Sequence, residues 1–219
     1  MKTLDLKREL KPFYTPPPKK IQIVDVPAFQ FILIDGAIEP GLAPGTSPLF
    51  MENTEAMYGA AYTLKFMMKL RPQDAVDYPV MALEGLWDAR NAIFDIRTPD
   101  NWTYTLMILV PDLITPVTFE EARAQLKEKK GDRPAFARLR LDRFHEGLCV
   151  QAMHIGPYAS EPETIARMQA FVQEQGYRDR VGAGGKHHEI YMGDPRKAAP
   201  EKLKTVLRHP VEALESATG

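Results

Sequence analysis

Apolar positions along this chain follow two rhythms that alternate in a regular order. From Ile21 to Gly36 the apolar residues are dense and β-branched, and both alternating faces (Phe29, Phe31 and Leu33; Ile32 and Ile34) are apolar. That pattern predicts a strand covered on both sides. The turn chemistry of Glu39-Pro40-Gly41-Leu42-Ala43-Pro44-Gly45 ends it, because proline fixes φ and glycine permits positive φ. From about Asn53 to Lys69, Met57, Ala61, Leu64 and Met68 recur at helical spacing with Ala60 and Met67 beside them, which predicts a long helix with a stripe to lay on a sheet. Val80 to Trp87 and Trp102 to Val110 then read as strands. Residues 112–135 carry a helix signature, with Thr118 and Glu121 as a capping box and a lysine-rich last turn ending at Gly131. Leu148 to Ile155 is a predicted strand, and Ser160-Glu161-Pro162-Glu163 is a second capping box leading to Ile165, Met168, Phe171 and Val172. Lys186 to Met192 and Leu203 to His209 supply two more strands, with Asp194-Pro195 as the breaker.

The order strand, helix, strand, strand therefore occurs twice. The first copy runs from Phe31-Ile32-Leu33-Ile34-Asp35-Gly36 to a strand carrying Glu84 and a last strand closed by Pro111. The second runs from Ala152-Met153-His154-Ile155-Gly156 to a strand carrying Glu189 and a last strand closed by Pro210. The expected fold class is α+β: one pseudo-symmetric domain of two βαββ repeats back to back, with both glutamates turned towards a shared central groove. Repeat one spans about residues 21–111, a linker helix about 112–135 and repeat two about 136–212, within a domain of residues 21–219. Residues 1–20, ending in Thr15-Pro16-Pro17-Pro18-Lys19-Lys20, read as an extended Pro/Lys-rich arm without its own core.

Composition narrows the partners. Acidic and basic residues nearly cancel, 29 against 28, so net charge points to neither nucleic acid nor an anionic membrane. The start lacks the apolar core of a secretion signal, and no run approaches the roughly 18 apolar residues of a membrane span. A soluble, cytoplasmic protein is expected. The single cysteine, Cys149, cannot form an internal disulfide, and its apolar flanks Leu148 and Val150 make it a small core residue.

On the strand around Glu189, side chains two apart share a face, so His187, Glu189 and Tyr191 line one side while His188, Ile190 and Met192 take the other. If that face is the inner one, Glu189 is a desolvated carboxylate fit to accept a proton from water or to meet a cation, and Tyr191 is a hydrogen-bond donor beside it. If it is the outer one, both are ordinary solvated residues. In Glu84-Gly85-Leu86-Trp87 strict alternation puts Glu84 and Trp87 on opposite faces, whereas a bulge at Gly85 would bring them together. Trp102 and Tyr104, with Tyr58 and Tyr62 on the helix, either line a pocket for flat ligands or fill the core. His187-His188-Glu189 does not read as a metal site, since adjacent residues on a strand diverge, and no cofactor is expected. Cys149 with His145 or His154 lacks a third, orienting group. Gly182-Ala183-Gly184-Gly185 precedes a strand rather than a helix and reads as a turn.

Val24-Asp25-Val26-Pro27, Ile34-Asp35-Gly36, Leu83-Glu84-Gly85-Leu86-Trp87, His154-Ile155-Gly156-Pro157-Tyr158, Lys186-His187-His188-Glu189-Ile190-Tyr191 and Pro200-Glu201-Lys202-Leu203-Lys204-Thr205 resemble the GyrI-like small-molecule-binding proteins over nearly the whole chain. The resemblance is to the stand-alone branch and implies two βαββ repeats around a groove. It implies planar aromatic or cationic small molecules as ligands, with gyrase as a further candidate partner by way of a namesake. The two glutamate signatures resemble a hydrolytic branch that opens cyclopropanoid DNA-alkylating compounds. On that likeness Glu189 would activate water, Tyr191 would steady the dienone oxygen, and Glu84 and Trp87 would orient the flat ligand. Trp102, Tyr104, Tyr58, Tyr62, His154 and Tyr158 would complete the ligand-binding set. Non-enzymatic sequestration of planar or cationic drugs is the alternative. Asp88 stands where a second aromatic is expected after Trp87, and the glycine-rich insert precedes Lys186; either would reshape the pocket mouth.

Overall fold

The computed structural model describes residues 1–90 and 94–214; the last five residues of the expected domain, 215–219, lie outside the described residues. The chain opens with β1 (Lys2–Thr3), α1 (Leu6–Glu9) and α2 (Lys11–Tyr14). These replace most of the expected extended arm. Asp5 caps α1 by accepting from the Arg8 N–H, Pro12 sits in the first turn of α2 where its missing N–H costs nothing, and Leu6 and Tyr14 are buried.

Pro27 then splits the single predicted strand into β2 (Gln22–Val26) and β3 (Phe29–Ala37). Next come α3 (Pro48–Lys69), β4 (Val76–Asp77), β5 (Leu83–Ala89), β6 (Trp102–Leu109), α4 (Pro116–Lys130) and α5 (Pro134–Arg138). The chain continues through β7 (Arg140–Phe144), β8 (Gly147–Ile155), α6 (Glu161–Glu174), β9 (Tyr177–Asp179), β10 (His187–Tyr191) and β11 (Lys204–Ala213). Two caps differ from expectation. Thr115 rather than Thr118 caps α4, its hydroxyl accepting from the Thr118 N–H. Ser160 makes no cap to α6, because its hydroxyl donates to the Pro157 carbonyl instead.

The main sheet has the order β2-β8-β11-β10-β5-β6-β3-β7, with β9 added on β11. Repeat one is β3-α3-β5-β6 and repeat two is β8-α6-β10-β11. Each half places its third element innermost, so β5 and β10 pair antiparallel at the centre and the approximate two-fold axis passes between them. The halves also exchange edges: β2, which precedes repeat one, pairs with β8, while β7, which precedes repeat two, pairs with β3.

Directly paired residues of an antiparallel ladder share a face, which sorts the centre of the sheet into two sides. Leu83, Gly85 and Trp87 of β5 face the same way as Tyr191, Glu189 and His187 of β10. The helices of the two repeats, α3 and α6, lie on this side: Asn53 of α3 donates to the Tyr104 hydroxyl, and Thr164 of α6 hydrogen-bonds His154. The other side, carrying Glu84, Leu86, His188 and Ile190, is covered by the N-terminal segment through Tyr14. A small apolar cluster of Val150, Ala152, Leu207 and Val211 holds α6 down through Met168 and Val172. The larger core lies around α3 and β3, β5 and β6.

Candidate functional site

Between α3 and α6 the central strand pair is the floor of an aromatic cleft that its own side chains fill, with Trp87 1% and Tyr104 2% exposed. Glu189 stands there opposite Gly85 and is 5% exposed. A Cβ on Gly85 would lie 2.7 Å from Trp87 Nε1 and 3.3 Å from the Tyr191 hydroxyl, so the glycine is what lets the indole and the phenol close over the strand. Trp87 Nε1–H donates to the Tyr191 oxygen at 3.0 Å, and Tyr191 sits two residues from Glu189 on the same face of β10. Burial, then the Glu189 charge, push the Tyr191 pKa well above its ordinary value, which keeps the phenol a neutral donor.

The walls are aromatic. Phe50 of α3 stacks on Trp87 with centroids 5.6 Å apart and meets Tyr104 edge-on at 5.2 Å; Trp102 lies 5.1 Å from Trp87. Gly36 makes room for Tyr104, since a Cβ there would clash with the phenol ring. Phe94 stacks on His187 at 5.2 Å, and Tyr158, in the turn before α6, meets Tyr191 edge-on at 6.1 Å. Tyr58 of α3 is partly exposed, and Tyr62 is half exposed against Phe66 further along the helix. Trp87, Trp102, Tyr104, Tyr158 and Tyr191 thus converge with Glu189, whereas Tyr62 stands at the rim. Phe50 and Phe94 supply the aromatic surface that Asp88 does not, since Asp88 pairs with Thr103 on the other side of the sheet.

A residue not singled out by sequence completes the acidic group. Glu161, the first residue of α6, is buried. Burial, then the charge of Glu189, push its pKa up, so the Glu161–Glu189 pair keeps a proton at neutral pH. Among the described residues its Oε1 has no hydrogen-bond partner. The only sequence signal was its place in an apparent capping box, where Glu163 drew the attention. Behind Glu189 runs a line of buried groups. His187 Nε2 lies 2.9 Å from Glu189 Oε1, His187 Nδ1 lies 2.7 Å from His209 Nε2, and His209 Nδ1 lies 2.6 Å from Asp179 Oδ2.

The donor atoms of Glu161, His187 and Glu189 fall within 4.8 Å of one another, a spacing that invites comparison with a metal site. Both His187 nitrogens are engaged in hydrogen bonds, to His209 and to Glu189.

Glu84 does not join this cleft, which corrects the expectation that the two glutamates converge. The ladders on both sides of β5 run without interruption from Leu83 to Trp87, so Gly85 is not a bulge and Glu84 faces the N-terminal segment, 1% exposed. There it accepts from the Tyr14 hydroxyl and lies 3.0 Å from His188 Nε2. His188 Nδ1 is 2.8 Å from Glu146, which also accepts from Arg208 at 2.8 Å. Burial opposes charge on His188, but the Glu146 charge and the hydrogen bonds to Glu146 and Glu84 outweigh it and raise its pKa to about 9. Glu146, likewise buried, is held down to about 2 by the charges of His188 and Arg208. Arg208 and Gln151 donate to the carbonyls of Phe13 and Pro12, tying the N-terminal segment to the network. Glu84 is thus a member of a four-charge structural cluster.

His154 is also removed from the ligand-binding set. It is buried, with Nδ1 2.9 Å from the Thr164 hydroxyl and Nε2 3.2 Å from the Pro157 carbonyl, and it pins the start of α6. Gly184, Gly185 and Lys186 line a cavity of about 420 Å³ on the Glu84 side of the sheet, with Leu86 and Arg140, away from the aromatic cleft. Burial pushes the Cys149 thiol up, in keeping with its place in the core.

A sheet with the two halves joined at β5 and β10, and a helix from each half flanking a cleft, is the arrangement of one family. The sequence profile of the GyrI-like small molecule binding domain matches residues 19–212. The chain belongs to the GyrI-like family. This GyrI-like protein is similar to an uncharacterized conserved protein from Listeria innocua, with 39% identity, 95% of this chain and 100% of that one covered, and a TM-score of 0.86. It is also similar to a hydrolase encoded by lin2189 from Listeria innocua, with 38% identity, 96% and 100% covered, and a TM-score of 0.82. The EcmrR C-terminal domain shares the fold at 12% identity, with 89% and 98% covered and a TM-score of 0.52. A search of curated protein sequences finds no match. Among the described residues no helix is long and apolar enough to cross a membrane.

Proposed function

We propose that this GyrI-like protein binds planar aromatic molecules in the cleft between α3 and α6 and hydrolyses those that carry a strained cyclopropane conjugated to a dienone. The observation that carries the reading is the pairing of two carboxyls, Glu161 and Glu189, both buried and with oxygens within 4.8 Å of one another beside aromatic side chains, where burial and mutual repulsion favour one shared proton. Groups of the same type with opposed proton states are how one site runs acid and base chemistry together. Hydrolases about 38% identical to this chain, from Listeria innocua, support the reaction class.

The chemistry balances with one water. Its oxygen attacks the ring methylene while Glu189 takes its proton; a C–O bond forms and a ring C–C bond breaks. The released electron pair passes into the dienone and leaves a phenoxide, which Tyr191 steadies and Glu161 protonates. Glu189 then returns its proton to Glu161, and both carboxyls are restored. Ring strain and aromatisation supply the driving force, so modest activation of water is enough. Phe50, Tyr158 and Tyr191 are the partly exposed aromatics that would meet the ligand, with Trp87, Trp102 and Tyr104 packed beneath them.

The test is incubation with a duocarmycin-type cyclopropanoid, following the ring-opened product by mass spectrometry. Wild type should turn it over, and Glu189→Gln should lose roughly 100-fold or more in rate while still binding. Tight calorimetric binding by wild type with no product would replace hydrolysis by sequestration. Undiminished turnover in Glu189→Gln would remove Glu189 from the mechanism.

A further inference from the structure

Behind Glu189, three buried side chains from three strands line up end to end: Asp179 on β9, His209 on β11 and His187 on β10. The successive contacts are 2.6, 2.7 and 2.9 Å. Each is short enough to require a proton between its two heavy atoms. Three such bonds need three protons, and two neutral imidazoles bring only two. The line therefore carries one proton more than its neutral rings supply. The two ends differ: Asp179 approaches solvent, with its side chain 12% exposed, while His187 is fully buried under the Phe94 ring.

The direction of the bonds follows from where the extra proton is most stable. Burial, first, holds the basicity of His187 down. Asp179 is itself partly buried, yet the hydrogen bond and charge of His209 hold its pKa below the ordinary range; it also accepts from the Val181 N–H and the Gln169 amide. That leaves two places for the extra proton: His209, in contact with the Asp179 carboxylate, or Glu189, in contact with His187. With the proton on His209, that ring donates through Nε2 to His187 Nδ1, and His187 is the tautomer that donates through Nε2 to Glu189; with it on Glu189, both bonds run the other way.

We infer that Asp179, His209 and His187 form a buried proton relay that ends on Glu189 and holds it as an unprotonated acceptor. The relay rests on the proposed hydrolytic reading for its use, though not for its existence. The other groups facing Glu189 are Tyr191 on its own strand, Glu161 from α6, Tyr158 from the turn before α6, and the Trp87 indole from β5. The charge of His188 acts on His187 from the opposite side of the sheet. None of these donates to Glu189 Oε1 in place of His187, so the imidazole N–H is what distinguishes an acceptor from a protonated acid at that oxygen. The three residues position and charge Glu189 without touching substrate.

The relay is tested in the ligand-free protein first, by long-range ¹H–¹⁵N NMR of the imidazoles at pH 7. Wild type should show His209 with both nitrogens protonated and His187 protonated at Nε2 alone; Asp179→Asn should return His209 to a neutral tautomer. A neutral His209 in wild type overturns the relay, whether or not the protein is a hydrolase. With a duocarmycin-type cyclopropanoid as probe, Asp179→Asn and His209→Gln should each lower kcat at pH 7 by about tenfold or more with KM unchanged. The acid limb of the rate profile should move to higher pH, because loss of the N–H donor favours a protonated Glu189. Folded variants with an unmoved profile overturn the relay. Absence of turnover in wild type overturns the hydrolytic reading instead and leaves the relay to the NMR result.

Discussion

At the residue scale, Gly85 sets how closely the aromatic side chains approach the strand that carries Glu189. Gly85 is the point where the floor of the cleft approaches its roof, and adding one methyl there forces Trp87 and Tyr191 apart. Gly85→Ala is expected to destabilise the fold by roughly 1–3 kcal/mol and to break the indole to phenol hydrogen bond. A lowered thermal midpoint together with a shifted tryptophan emission would report this; unchanged values for both would show that the cleft tolerates the methyl. The alternation of His187, Glu189 and Tyr191 was legible in the sequence, because a strand of period two leaves no freedom. Glu84 was not. A Gly in a strand admits either a bulge or straight continuation, and only the unbroken pairing of β5 with both neighbours selects the second. Glu161 escaped notice for a different reason: a carboxylate in the first turn of a helix is ordinarily solvated and helps the dipole, and nothing local reveals that another strand buries it.

At the scale of elements, the long helices and the innermost strands were readable from periodicity, since each buries one continuous stripe. The elements that were missed are short and depend on partners far away in sequence. The helical turns of α1 and α2 exist because Tyr14 finds Glu84, and Arg208 and Gln151 find the carbonyls beside it. The strand β7 is largely polar or half-buried and forms because β3 offers it an edge. The N-terminal segment is therefore a clasp over the charged cluster. Tyr14→Phe removes a buried hydrogen bond to a carboxylate and should cost about 1.5–3 kcal/mol, read as a lower urea midpoint with an unchanged slope. Since this clasp lies on the opposite side of the sheet from Glu189, catalytic rate at 25 °C should be unaffected. A full-strength urea midpoint would show that Tyr14 is not a structural partner of Glu84.

At the scale of the whole molecule, the sheet separates two charged systems with different tasks. On one side Glu84, His188, Glu146 and Arg208 neutralise one another; on the other, Glu161, Glu189 and the histidine line share protons in an aromatic cleft. Both set the pH dependence of folding. The His188 pKa is raised to about 9 in the folded protein, so its contribution is complete below the unfolded value near 6.5 and is lost as pH rises through about 9. That difference amounts to about 3 kcal/mol. Glu161, raised to about 10, acts in the same sense, its contribution declining as pH rises above the ordinary glutamate range. Glu146, lowered to about 2, stabilises above roughly pH 4.5 and loses that contribution as pH falls through about 2. Denaturation series should find unfolding free energy falling steadily from pH 6 to pH 9.5, and His188→Gln should flatten part of the slope. A profile that is level across this range would contradict the charged state assigned to the cluster. The exchange of β2 and β7 between halves binds both systems to one frame, a feature that no local pattern announces.

The most direct test of water attack assisted by Glu189 is a single-turnover reaction of excess protein with a duocarmycin-type cyclopropanoid in H₂¹⁸O. Mass spectrometry of both product and protein then follows the label. The expected result is a ring-opened product carrying one ¹⁸O on the former ring methylene, with the protein unlabelled. Product bearing ¹⁶O with ¹⁸O left in a protein carboxyl would mean that a glutamate itself attacks the ring, and an intact cyclopropane would mean that the cleft binds without hydrolysing.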